Sequence, residues 1–204
     1  TQALRAASPH KRILISADYE DGLGRWLPDA PLFPSNLALG AADDASLAFE
    51  KGLLTARQAK SLGVDWVFAP VVDLADNPHN PIVNTRSFGA DPERVTRLAE
   101  AFMEGLSKGG ALNSLKHFPG HGNTNTDSHL ALPVVMATKQ HLWDYELLPF
   151  RRLLGLADSV MVGHLLVPAL DDQRPASTSP AVIREFLQKG MGYCGCICTD
   201  ALCM

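Results

Sequence analysis

The chain has 204 residues, 46% of them hydrophobic and 20% charged, and carries a net charge of −4. That length supports one well-buried domain, and an acidic balance without any Lys/Arg cluster argues against a nucleic-acid or anionic-membrane partner. No apolar run is long enough to span a bilayer, and Thr1 to Arg12 holds neither an initiating Met nor an apolar signal core. A mature form or a fragment is expected, in the cytoplasm, with the periplasm and secretion left open.

Apolar runs alternate with stretches of helical period along the chain. Arg12 to Ala17 reads as a buried strand with Asp18 at its C-terminal end. Asp43 or Asp44 starts a helix that ends near Gly63, and Val64 to Val72 is a second strand, ending at Asp73. Asp91-Pro92-Glu93 opens a helix, with Asp as N-cap and Pro in the first turn. Val95, Leu98, Ala99, Phe102 and Leu106 then line one face until Gly109-Gly110. Ala111 to Leu115 is a short third strand running into Lys116 and His117. Thr138 caps a helix through Leu154 that Pro149 should bend or interrupt. Ser159 to Leu166 is a fourth strand, with His164 near its end. Ser179-Pro180 begins a helix carrying Val182, Ile183, Phe186 and Leu187 to Gly190, and Tyr193 to Thr199 is a fifth strand, ending at Asp200.

Strands of this kind, alternating with helices, imply a parallel sheet covered by helices. Asp18, Asp73, Lys116, His117, His164 and Asp200 all stand where strands end. A (β/α)8 TIM-type barrel distributes its chemistry in that way, and so does a doubly wound open sheet. A closed barrel needs eight strands and roughly 250 residues. With about five strands, a barrel here would be incomplete.

The stretch Lys116-His117-Phe118-Pro119-Gly120-His121-Gly122, with Asp127-Ser128-His129 after it, is the densest group of titratable side chains. Pro119, Gly120 and Gly122 should keep it out of regular helix or strand, and loops of that composition on a rigid scaffold are where binding and catalysis concentrate. His117 and His121 have H-x-x-x-H spacing, but Pro119-Gly120 denies them the helix that would put both on one metal-binding face. His121 is better suited to holding its own loop by hydrogen bonds, while His164 either lines a pocket or is a satisfied core histidine. Cys194, Cys196 and Cys198 alternate along the fifth strand, which fits small core residues in a reducing compartment better than a thiolate metal site.

The string KHFPGHG at 116–122, then DSH, then LALP resembles the signature of the glycoside hydrolase family 3 β-N-acetylglucosaminidases. Residues 68–95 (FAPVVDLADNPHNPIVNTRSFGADPERV) are similar to the family segment around its Arg-Ser-Phe-Gly motif. ADYEDGLGR at 17–25 resembles its Asp-x-Glu-Gly-Gly segment, and CTDAL at 198–202 the strand end bearing its nucleophile. The resemblance spans nearly the whole chain and implies one partial catalytic barrel domain over 1–204, holding roughly the second to sixth strands. Two departures stand out. Asp21 replaces the first glycine of the usual pair, and the family's arginine falls at Trp26 by direct counting, with Arg25 one place earlier.

Hydrolysing a glycosidic bond with retention needs a nucleophile on one side of the anomeric carbon and a proton donor on the other. Asp200, a carboxylate at a buried strand's end, is a candidate for the first role. For the second, Asp127 and His129 at i, i+2 in an extended loop can hydrogen-bond, the carboxylate orienting an imidazole that gives and then takes a proton. The resemblance implies these same roles, and sugar-hydroxyl contacts for Asp18, Arg86, Lys116 and His117, with Arg25 beside them. The competing structural roles are an ion pair of Arg86 with Asp73 or Asp91, a solvated Lys116, and a capping Asp18. The implied activity is removal of terminal β-linked N-acetylglucosamine, as in peptidoglycan recycling, without a metal or organic cofactor. Phosphorolysis, an inactive carbohydrate-binding fragment and a metal-dependent hydrolase are the alternatives.

Overall fold

The computed structural model describes residues 1–10, 13–124 and 131–202. Its strands are short and pair in parallel. β1 (Ser16–Ala17) lies beside β2 (Trp66–Val67), and β3 (Leu115–Phe118), β4 (Ser159–Val162) and β5 (Cys196–Thr199) follow one another in a second sheet. Parallel bridges from Trp66 to Leu112 and from Val71 to Lys116 join the two sheets. The strands therefore succeed one another in chain order, without the reversal that marks a doubly wound sheet. Among the described residues this wall is an open arc and not a closed barrel.

Every strand is shorter than its apolar run, for reasons that differ from strand to strand. Ile15 O accepts from the N–H groups of Asp65 and Trp66, but β1 has a neighbour on one side only and Leu14 is 65% exposed. β2 ends where the Ala69 N–H turns back to Val67 O at 2.9 Å and Pro70 has no N–H to donate, although Ala69 O and Pro70 O still accept from Ser114 N at 2.9 Å and Lys116 N at 3.3 Å. β3 begins later than Ala111 because Asn113 N and Nδ2 both donate to Asp158 Oδ2, at 2.9 Å each, instead of joining the ladder. Lys116, His117 and Phe118 consequently lie in the strand and not in the loop. β4 ends before Gly163, leaving His164 beyond it. The N–H of Tyr193 turns back to Leu187 O, so β5 pairs only from Cys196.

Helix starts were more legible. α1 (Gln2–Ala7) and α2 (Asn36–Ala42) precede α3 (Ala45–Ser61), which Asp44 caps by accepting from Ser46 N at 2.8 Å. Asp43 instead ends α2 in the left-handed region. α4 (Pro92–Lys108) begins with Asp91 accepting from Glu93 N and Arg94 N, and stops at Gly109 as its pattern predicts. Thr138 accepts from His141 N at the start of α5 (Lys139–His141). A π-type turn over Leu142–Glu146 then leads to α6 (Leu148–Leu153), where Pro149 occupies a first-turn position that costs no hydrogen bond. Ala181–Gly190 is a wider, π-type helix whose first turn is capped by Ser179 Oγ accepting from Val182 N.

The core lies between strands and helices, from Val67, Ala69 and Val72 through Leu98, Phe102 and Leu106 to Leu115, Phe118, Phe150, Val160 and Val162. The cysteines do not join it as their alternation suggested. Cys194 and Cys196 are exposed free thiols and Cys198 is half-buried, because β5 has a strand on only one side. No helix among the described residues is long and apolar enough to cross a membrane.

Candidate active site

β1 runs into Asp18-Tyr19-Glu20, and the two-residue alternation of extended chain puts Asp18 and Glu20 on the same side. Lys116, projecting from β3, reaches both. Its Nζ lies 2.8 Å from Asp18 Oδ1 and 2.7 Å from Glu20 Oε1. Arg86 ends the short turn Asn84–Arg86 and forks onto Glu20, with Nε donating to Oε2 at 2.9 Å and Nη2 to Oε1 at 2.7 Å. Neither Asp73 nor Asp91 is its partner, since Asp91 is committed to capping α4. Lys116 is no solvated lysine either, being only 1% exposed. Burial alone would push the Glu20 carboxyl up, but Lys116 and Arg86 together hold it well below the usual carboxylate range. Arg86 is correspondingly pushed above its ordinary value, because Glu20, Asp73 and Asp200 outweigh its own burial.

A second buried carboxylate, Asp73 at the end of the β2 segment, organises the histidines. It accepts from the backbone N–H of His117 at 3.2 Å and of His121 at 2.7 Å, and His117 Nδ1 lies 2.6 Å from its Oδ2. Burial opposes its ionisation, yet the His117 ring and the His121 N–H keep its pKa low. As an ionised acceptor, Asp73 takes the Nδ1–H of His117 and thereby selects the tautomer. Nε2 is left facing Arg86 Nη2 at 3.3 Å and Asp200 Oδ2 at 3.9 Å. A guanidinium there occupies the side from which that nitrogen would bind a metal.

The following loop is built around contacts that only glycine permits. A Cβ on Gly122 would stand 1.8 Å from Leu74 O, and Gly120 has φ +124, a conformation that side chains disfavour. Asn80 staples the loop, its Nδ2 donating to His121 O at 2.8 Å and Gly122 O at 2.9 Å. His121 Nδ1 lies 2.8 Å from Thr124 Oγ1, as a loop-holding histidine should, but the residue also lines the cavity. Burial, followed by the neighbouring His117 and Arg86, outweighs Asp73 and lowers its pKa.

The cavity so formed is open, about 290 Å³, and lined by Asp18, Glu20, Arg25, Arg86, Lys116 and His117 with Asp200. Trp26, the position reached by direct counting, also lines it, its indole N–H donating to Asp18 O at 3.0 Å. Asp200 follows β5, where its N–H donates to Val162 O at 3.0 Å, and its Oδ1 accepts from Ala201 N at 2.8 Å. His164 is satisfied at both ring nitrogens, by Ser177 Oγ at 2.7 Å and Ala201 O at 3.1 Å, and so steadies the segment after Asp200. It is not among the cavity's lining residues. Asp127 and His129 lie outside the described residues.

Residues 1–204 match the glycosyl hydrolase family 3 N terminal domain. The chain belongs to this family. A β-hexosaminidase of Pseudomonas aeruginosa is 36% identical over 99% of the chain, which spans 60% of that relative. A family 3 β-N-acetylglucosaminidase from Paenibacillus sp. superposes with a TM-score of 0.94 at 40% identity, covering 100% of this chain and 39% of that one. A β-glucoside phosphorylase superposes with a TM-score of 0.96 at 32% identity, again over 100% of this chain and 39% of the other. The family 3 chain thus spans roughly two to three fifths of these three relatives.

Sequence reasoning overlooked several groups that shape this family 3 pocket. Glu20 was findable, since its i+2 spacing from Asp18 in extended chain puts both carboxylates on one side. Asp73 was visible as a strand-end carboxylate, but its candidate partner was Arg86 and not His117, and nothing in the sequence marked Asn80 as a staple. Glu146 is the least expected. It is 1% exposed, packs against Gly120, and neither of its oxygens has a hydrogen-bond partner among the described residues. Burial, then the charges of Asp76 and Asp73, push its carboxyl up to about 8.

An unfolded glutamate ionises near 4.3. Between about 4.3 and about 8 the unfolded chain releases a proton that the native state keeps, so stability falls as pH rises through that window. Glu146→Gln retains the shape of the neutral side chain. It is expected to match the wild type near pH 5 and to exceed its stability by on the order of 3 kcal/mol near pH 8. Urea denaturation at the two pH values checks this, and coincident curves at the higher pH would refute it.

Proposed function

We propose that the chain forms the second to sixth strands of a (β/α)8 barrel, in one catalytic domain over 1–204 of an exo-acting β-N-acetylhexosaminidase. One observation carries the reading: Asp18, Arg25, Arg86, Lys116 and His117 gather around a single cavity that also receives Asp200. Fixed cations and a carboxylate side by side suit adjacent sugar hydroxyls, and the cavity lies at the small end of ligand pockets.

In this reading the Asp200 carboxylate attacks the anomeric carbon as the glycosidic C–O bond breaks, and His129 gives its proton to the departing oxygen. Asp127 orients His129 and supports the imidazolium. Water then attacks the glycosyl–Asp200 ester, returning a proton to His129 and freeing the sugar with retained configuration. The likeness to proteins named β-hexosaminidase and β-N-acetylglucosaminidase supports a terminal β-linked N-acetylglucosamine as substrate, such as one on a peptidoglycan fragment. Free thiols at Cys194, Cys196 and Cys198 fit a reducing, cytoplasmic setting. A second reading, with phosphate replacing water as acceptor, is supported by the likeness to a β-glucoside phosphorylase.

Incubating the intact natural protein with a 5-fluoro N-acetylglucosaminide, followed by peptide mass spectrometry, is expected to place the label on Asp200. A label on any other carboxylate overturns the assignment. Turnover of an aryl β-N-acetylglucosaminide with and without phosphate separates the acceptors, the sugar 1-phosphate marking phosphorolysis.

A further inference from the structure

Lys51 lies in the middle of α3 and is only 5% exposed, yet all three of its ammonium protons are engaged. Nζ lies 2.7 Å from Asp21 Oδ1, 2.6 Å from Asn36 Oδ1 and 2.8 Å from Pro34 O. Each of the first two acceptors leads to a pocket arginine. Asp21 uses its other oxygen, Oδ2, to accept from Arg25 Nε at 3.1 Å and Nη2 at 3.0 Å. Asn36 passes the connection on from its amide nitrogen, which donates to the backbone O of Arg86 at 2.7 Å.

The two arginines differ in how they are otherwise held. Arg86 is locked by its fork on Glu20, whereas the Arg25 side chain is 52% exposed at the pocket and its ion pair among the described residues is with Asp21. A long, exposed guanidinium without a fixed partner samples many rotamers, and ordering it on substrate costs entropy. Asp21 removes part of that cost beforehand. It stands where the family resemblance expects glycine, which could hold nothing, and Arg25 stands one place before the family's arginine. The carboxylate at that position pairs with the arginine one place early. A buried carboxylate in turn needs a cation, and Lys51 supplies it from the helix behind.

We infer that Asp21 and Lys51 are positioning residues that hold Arg25 toward the pocket for substrate binding. The inference rests on the glycosidase reading above. Because a buried ion pair is often replaceable by apolar groups at little cost in stability, stability alone does not account for this chain of contacts.

The test is a double-mutant cycle on the intact protein with an aryl β-N-acetylglucosaminide. Arg25→Met and Asp21→Asn are each expected to raise KM by ~10-fold, with kcat changed by less than ~3-fold. In the Arg25→Met background, Asp21→Asn should add less than ~2-fold, since its effect runs through the arginine. An Asp21→Asn effect that persists in full without Arg25 overturns the inference. Lys51→Arg, which keeps the charge, should stay closer to wild type than Lys51→Met, and equal KM values for the two would count against it. Arg25 is exposed and its substitution should leave the fold intact, so if the Asp21 variant does not fold, an unchanged KM for Arg25→Met by itself refutes the proposal. A wild type that turns over no β-N-acetylglucosaminide overturns the glycosidase reading, and this inference with it, and is distinguishable from an active wild type with an unresponsive KM.

Discussion

Asp200→Asn is expected to lower kcat toward an aryl β-N-acetylglucosaminide by ~10³–10⁴-fold, a barrier increase of about 4–5.5 kcal/mol. The size follows from what the amide lacks. It has no negative charge to stabilise an oxocarbenium-like centre and does not form the ester intermediate. The fold should be nearly indifferent, because the side-chain hydrogen bond of Asp200, accepted at Oδ1 from Ala201 N, can be accepted equally by an amide oxygen. Thermal denaturation should therefore place the variant within about 0.5 kcal/mol of wild type. Unfolding would explain away a lost activity, and a stable, inactive variant would not. A stable variant that keeps wild-type kcat would remove Asp200 from the chemistry.

Glu20→Gln should produce the largest loss of stability. In the native state one carboxylate serves both the Arg86 fork and Lys116, and Lys116 is almost wholly buried. The amide leaves Lys116 with Asp18 and Arg86 with only the more distant charges of Asp73 and Asp200, and removing one partner from a buried ionic group costs ~3–5 kcal/mol. The sign of the pH dependence follows from the depressed pKa of Glu20. Its stabilisation is present above the unfolded value near 4.3 and is lost as pH falls through the lower, folded value. The gap between wild type and variant in urea denaturation should thus be full at pH 7 and shrink in strong acid. A displaced Arg86 and Lys116 should also reduce kcat/KM by on the order of 10²-fold. A variant within about 1 kcal/mol of wild type at pH 7, roughly the ordinary cost of any point substitution, would show that Glu20 does not carry this site.

The parts of the fold that were legible in advance share a property: their determinants are local. Asp91-Pro92 at the head of α4 and Gly109 at its foot act through hydrogen bonds and dihedral limits within a few residues, and both boundaries coincide with the structure. Asp44 over Asp43 was open because either could cap. The choice depended on Asp43 closing α2, a helix with too little apolar period to be noticed. Strand limits were less legible, since a ladder ends where the partner chain stops offering a matching group. Asn113 turning to Asp158, 45 positions away, is a decision made between segments.

The candidate site divides along the same line. From the sequence alone came the order of strands and helices and the strand-end group Asp18, Lys116, His117 and Asp200, because residue types at strand ends are a one-dimensional property, while Arg25 and Arg86 entered only through the family resemblance. Tertiary structure alone decided which charge serves which. Glu20 takes Arg86 and Lys116, Asp73 takes His117 and the loop N–H groups, and Lys51 stands behind Asp21 from thirty positions away. Such pairings depend on distances of about 3 Å across separate elements and on burial that makes each unpaired charge costly. Neither quantity exists until the chain has folded.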